Sequence, residues 1–144
     1  MGFQTDLLTG IGEYLHAQDV GRWLAAGTFA PTDIALVIDT LPTAPDRAVA
    51  LSLYPVQDGP GTDSIVGLQT WVRGSPKNLP SAKDITDALF DALDGLERAT
   101  FGGVPIVRIW RRSGANLGKD SNGREEISQN YYLQLTRSGT HRTD

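Results

Sequence analysis

Apolar and polar positions alternate with period two across residues 65–73. Val66, Leu68, Thr70 and Val72 fall on one face, and Gln69, Trp71 and Arg73 on the other. That pattern predicts a strand between two different environments. Gly74, Pro76 and Pro80 then break the chain, and Ser81 stands where an N-cap belongs. A helix is predicted over residues 82–94. Ile85, Leu89 and Leu93 carry its buried stripe, while Asp84, Thr86, Asp87, Asp91 and Asp94 hold the wet side. Gly95 suits a left-handed stop. A strand followed by an amphipathic helix makes a two-layer core, to which the remaining segments add.

A first helix is expected over residues 3–17, with Phe3, Leu7, Leu8, Ile11 and Leu15 as its apolar stripe. Gly10 and Gly12 weaken it by about 1 kcal/mol each relative to Ala. Residues 20–31 read as irregular, 34–38 as a short strand, and 40–45 as a turn-rich connector with two prolines. Residues 48–54 alternate, with Val49, Leu51 and Leu53 inward and Ala50, Ser52 and Tyr54 outward; Pro55 is expected to end the strand. A strand over 104–112 would set Val107 and Ile109 on one face and Arg108, Trp110 and Arg112 on the other. A last strand over 126–137 would turn Ile127, Tyr131, Leu133 and Leu135 inward and Asn130, Tyr132 and Gln134 outward. Two Gly-rich polar stretches read as loops that order only on assembly: 57–64, with Gln57, Asp58, Gly59 and Asp63, and 113–124, with Lys119, Asp120, Asn122 and Arg124. The fold class is α/β (α+β) in a single domain, residues 1–137, with a flexible tail at 138–144. A mostly antiparallel or mixed sheet of about five strands packs with two helices, in the order α-β-β-β-α-β-β.

Composition narrows the function. At 144 residues the chain can bury a real core, and a net charge of −4 provides no global basic field for phosphates. Without cysteine there is no disulfide, thiolate metal site or Cys nucleophile. No apolar run reaches the roughly 20 residues of a membrane span, and the N-terminus lacks the blocks of a signal peptide. A soluble protein without membrane contact is expected.

Candidate chemistry is sparse. His16 and His141 lack a neighbouring carboxylate and nucleophile in an ordered segment. Asp84, Asp87, Asp91 and Asp94 have the spacing of a solvated helix face, not of a catalytic carboxylate pair. The run from Gly118 to Gly123 resembles the middle of a calcium loop, but Gly118 and Gln129 stand where acids are required. Gly59-Pro-Gly61 and Gly102-Gly103 lack a phosphate cradle's lysine and spacing. No metal, cofactor or enzymatic activity is expected. What remains is the outward sheet face, where Trp71, Arg73, Arg108, Trp110, Arg112 and Tyr132 would stand together. Aromatic and basic side chains on a sheet can stack bases or anchor a protein interface. The chain's own helix could also cover the two tryptophans. The acidic balance favours a protein partner, with Asp87, Asp91 and Asp94 as a complementary face on a neighbouring copy.

The succession Asp46-Arg47 through Tyr54-Pro55, then Val66-Gly-Leu-Gln69-Thr-Trp-Val-Arg73-Gly74, resembles the small tail terminator proteins of siphophages, often labelled minor capsid or head–tail connector proteins. Arg111-Arg112-Ser, Leu117-Gly-Lys-Asp120, Gly123-Arg124 and Asn130-Tyr131-Tyr132 resemble that family's closing hairpin. The resemblance spans residues 34–137. It implies a non-enzymatic virion protein, assembled from host cytoplasm into a hexameric ring at the tail–neck junction. Its partners would be further copies of itself, the tail tube protein and the head–tail connector or stopper, with genomic DNA only passing through the lumen. Alternatives are a head-completion or neck stopper protein, and a single-strand nucleic-acid-binding module using Trp71, Arg73 and Trp110.

Overall fold

Burial decides most of the architecture. The computed structural model describes residues 2–143. Its elements are α1 (Phe3–Ala17), β1 (Arg22–Trp23), β2 (Ala35–Ile38), β3 (Ala48–Asp58), β4 (Asp63–Pro76), α2 (Leu79–Leu93), β5 (Glu97–Phe101), β6 (Val104–Lys119) and β7 (Arg124–Thr136). The strands form one mixed sheet in the order β1-β2-β3-β4-β7-β6-β5. β1, β2 and β3 run parallel, and every other pairing is antiparallel. Seven strands stand where about five were expected, because β1 and β5 are too short and too polar to show a period.

Both helices lie on one face of the sheet. Leu7, Leu8, Ile11 and Leu15 of α1 and Ile85, Leu89 and Leu93 of α2 join Val66, Leu68, Val72, Ile127, Tyr131, Leu133 and Leu135 in one buried cluster. Tyr14 Oη of α1 donates to the Ala92 carbonyl of α2 at 2.6 Å. Two glycines make the fit of α1 possible. A Cβ at Gly10 would stand 2.2 Å from the Gly102 nitrogen, and one at Gly12 would stand 2.3 Å from the Trp23 ring. Both residues admit close approach, so their helix-weakening cost is offset by packing.

Several boundaries differ from expectation for identifiable reasons. Ser81 is not the N-cap of α2. That position is Asn78, Pro80 sits in the first turn where its missing N–H costs nothing, and Ser81 Oγ accepts from the Ser75 N–H at 2.9 Å. Pro55 does not end β3, because a register shift between Pro55 and Gln57 carries the strand past it. Gln57, Asp58 and Asp63 are therefore strand residues beside a tight hairpin turn, closed by Gly59 N–H to Asp63 O at 2.8 Å and Ser64 Oγ to Asp58 Oδ1 at 2.8 Å. Most of the expected loop at 113–124 is strand as well, with Lys119 closing β6, Arg124 opening β7, and only Asp120, Asn122 and their neighbours in the turn. The C-terminal residues fold back. The Arg142 guanidinium donates to the carbonyls of Arg137, Gly59 and Asp63 and to Ser64 Oγ.

β6 departs furthest from its expected pattern. Its register against β7 shifts between Ile106 and Arg108, between Arg111 and Ser113, and between Asn116 and Gly118. Val107, Arg112 and Leu117 are the extra residues. Inward side chains therefore fall at Ile106 and Ile109, both buried, while Val107 is 46% exposed and does not share the face of Ile109.

Candidate functional site

The face of the sheet away from the helices is built from cross-strand rows. One row reads Tyr54, Gly67, Tyr132, Trp110 across β3, β4, β7 and β6. Gly67 makes it continuous, since a Cβ there would lie 2.1 Å from Tyr54 Cζ; the Tyr54 ring thus lies over the bare glycine. Tyr132 and Trp110 meet edge-on with centroids 5.8 Å apart. The Arg108 guanidinium lies 4.4 Å from the Trp110 ring centroid and donates to Gln134 Oε1 at 3.2 Å. Burial in the row raises the Tyr54 hydroxyl pKa, and the neighbouring Tyr132 raises it further. Neither helix covers the row, which removes the reading in which the chain's own helix shields Trp71 and Trp110.

The structure brings Arg108, Trp110 and Tyr132 together as the alternation predicted. Trp71 lies on the same face two rows away, 37% exposed, donating its indole N–H to Glu126 Oε1 at 2.7 Å. Arg73 is on that face but is not available to a partner. It is 4% exposed under the 40–47 connector and donates to the Pro45 and Asp46 carbonyls at 2.8 Å each. Burial lowers its pKa and the Arg124 charge lowers it further, while Asp120, Glu126 and Asp46 oppose. Arg112 is removed from the row by its bulge, although it stays exposed at the strand edge. Tyr54 and Gly67 were missed as site residues; the signal was a glycine inside a clean strand pattern, which marks close approach.

Arg124 ties the closing hairpin to the connector. Its guanidinium meets Asp120 Oδ2 at 2.7 Å, Asp46 Oδ1 at 3.2 Å and the Thr43 carbonyl at 3.0 Å. Burial pushes the Asp120 carboxyl up, but hydrogen bonds from the Arg124 backbone, the Arg124 side chain and the Asn122 backbone outweigh it and hold the carboxyl below its ordinary range. Asp120, Asn122 and Arg124 thus make a built turn.

The acidic side of α2 lies on the opposite layer. Asp87 and Asp91 are exposed, whereas Asp94 Oδ1 accepts the Arg111 N–H at 2.8 Å. Arg111 stands on the helix side of β6, its guanidinium 4.3 Å from the Phe90 ring centroid. Beneath it Tyr131 is fully buried with no partner for its hydroxyl. No cluster of three or more His, Cys, Asp or Glu able to hold a metal occurs among the described residues, and no helix there is long and apolar enough to cross a membrane. The exposed groups offer stacking, cation–π and ion-pair contacts.

Comparison with known proteins gives this face a context. Residues 14–137 match the sequence profile of a family described as bacteriophage tail terminator protein. No curated protein matches the chain in sequence. Among solved structures, a chain from the virion of a native gene transfer agent particle is similar, with a TM-score of 0.56 at 18% identity. The match covers 69% of this chain and 78% of that one.

Proposed function

The chain belongs to the bacteriophage tail terminator family, and on that premise we propose that it closes into a ring on the head-proximal end of the tail tube. There it ends tube growth and offers a surface to the head's connector, with genomic DNA passing through the lumen. Six copies suit the family resemblance. The work is mechanical: the protein recognises other virion proteins and carries out no bond-making step.

One observation supports this reading above the rest. The Tyr54–Gly67–Tyr132–Trp110 row, edged by Arg108, is a broad aromatic surface that the chain's own helices leave uncovered. Large rigid aromatics with an arginine are the side chains that dominate interface energetics. A protein that must contact both its own copies and a tube needs at least two surfaces besides its core, because ring contacts are heterologous. We assign the aromatic face to contact with a neighbouring virion protein. Native mass measurement with and without purified tail tubes tests the reading. Discrete rings, formed alone or on tube ends, are expected; a protein that stays monomeric and unbound with tubes present contradicts it.

A further inference from the structure

Two unpaired edges of the sheet stand at the same height. Arg22, Ala35, Ala48, Arg73, Glu126 and Gly118 form one continuous cross-strand row, from β1 at one side to the far half of β6 at the other. On the β6 side, pairing with β5 begins at Arg108 and runs back to Val104. The segment after α2 covers the edge only as far as Arg111, through Ile109 N–H to Leu96 O and Arg111 N–H to Asp94 Oδ1. From Arg112 to Lys119 the strand is exposed and paired on one side only, to β7. On the β1 side, the Trp23 N–H is taken by His16 Nδ1 at 2.9 Å. Residues 24–29, which follow, make no hydrogen bond among the described residues and include Leu24, Ala25, Ala26 and Phe29. Continued along its own direction, β1 would bring Ala25 to the height of Gly114.

Charge separates the same two edges. β6 carries Arg108, Arg111, Arg112 and Lys119 and no acid. Residues 18–47, which surround β1, carry Asp19, Asp33, Asp39 and Asp46 against Arg22 and Arg47. Asp46 is taken by Arg124 and Arg47 donates to the Thr32 carbonyl, which leaves Asp19 and Asp39 as the free charges of this side among the described residues. Arg22 is itself paired with Asp33 at 3.9 Å. A cationic edge repels a second copy of itself and accepts an acidic one, which selects head-to-tail over two-fold pairing. The strand directions agree as well. β1 is parallel to β3, and β3, β4, β7 and β6 alternate, so β1 of one copy would meet β6 of the next antiparallel.

We infer that successive copies join edge to edge, with residues 24–29 of one copy adding to the open edge of β6 at residues 112–119 of the next. The partner is a second copy of this chain. The inference rests on the ring reading above and specifies its contact. Strand addition supplies backbone hydrogen bonds, and it gives residues 24–29 the partners they lack within the copy. The bulges at Arg112 and Leu117 leave only residues 113–116 as a regular stretch between them, which limits the added strand to a short one and opposes indefinite stacking. The aromatic row is left free for a different protein.

The cysteine-free background makes a clean test. Ala25→Cys and Ala115→Cys, both at exposed positions, are introduced singly and together, and the assembled protein is treated with a short bismaleimide that tolerates a residue of register. The double variant is expected to give a ladder of linked copies up to the full ring, and each single variant none. Dimers from Ala115→Cys alone would overturn the proposal in favour of two-fold β6 pairing. Rings of the expected mass that yield no ladder would overturn the edge contact and leave the ring reading standing. A protein that stays monomeric on tail tubes would remove both.

Discussion

β4 and β6 are the two longest strands of one sheet, 14 and 16 residues, yet they were built under different constraints. β4 lies in the middle, paired on both sides, with Val66, Leu68, Thr70 and Val72 buried on the face that carries the helices. A one-residue slip would send that set to the wrong face, so its alternation is strict. β6 leaves the core after Ile109. From Arg111 to Lys119 every residue is exposed, two of the strand's three bulges interrupt the register, and the charges are all of one sign. Arg111 packs on Phe90 and donates to Gln129, and Ser113 accepts from Asn130, but the other side chains of that stretch make no hydrogen bond or ion pair among the described residues. The closing hairpin and the outer aromatic row are therefore the surfaces this fold leaves open to a partner.

The contrast is broken most severely by cutting into the core beneath β4. Leu89 is fully buried against this sheet face, and Leu89→Ala is expected to cost about 2–5 kcal/mol, read by urea unfolding. A variant as stable as the parent would mean the packing assignment of α2 is wrong.

Gly10→Ala is next in size and tests the sign of an effect. Helix propensity alone predicts a gain of about 1 kcal/mol. The Cβ, however, would stand 2.2 Å from backbone at Gly102, and overpacking predicts a loss of about 1–3 kcal/mol. Thermal unfolding of the single variant decides between them.

Tyr131 sharpens the comparison from the buried side. Burial pushes its hydroxyl up to about 12 from an ordinary 10.0; Arg111 opposes, and Asp94 and Asp91 add to the rise. A raised folded-state pKa contributes stability that is fully present below pH 10 and lost as pH climbs through about 12. Because the hydroxyl has no partner, Tyr131→Phe is expected to be neutral or stabilising by about 1 kcal/mol at pH 7. It should also lose less stability than the parent between pH 10 and 12, as followed by pH-dependent urea melts.

The smallest expected change in stability is on the hairpin. Arg112→Glu with Lys119→Glu, both exposed and unpaired among the described residues, should alter stability by no more than about 0.5 kcal/mol per site. Ring assembly should fail all the same. An equal loss of stability and assembly would make the hairpin a folding element and collapse the distinction.

Legibility in the sequence follows the same division. The stripes of α1 and α2 and the inward residues of β4 and β7 were readable because burial on one side forces a period. The 20–31 and 113–124 stretches read as irregular because a single buried residue in each, Val20 and Arg124, imposes no period. The bulge at Arg112 then moved that residue out of the predicted row, and the one at Val107 took Val107 off the face of Ile109. Arg73 followed its period correctly and still ended buried, since the connector that covers it is distant in sequence and bends over it through Pro45 and Asp46. The aromatic row was half readable: Trp110 and Tyr132 were placed, whereas Tyr54 required knowing that Gly67 lies beside it.

Tail length in assembled particles tests most directly the claim that the uncovered outer face exists for assembly. Trp110→Ala with Arg108→Glu removes the β6 end of the row and reverses the charge beside it without touching the helix side of the sheet. With the variant shown to be folded, imaged particles are expected to have overlong tails, or heads and tails that fail to join. Tails of normal length attached to heads would contradict the assignment.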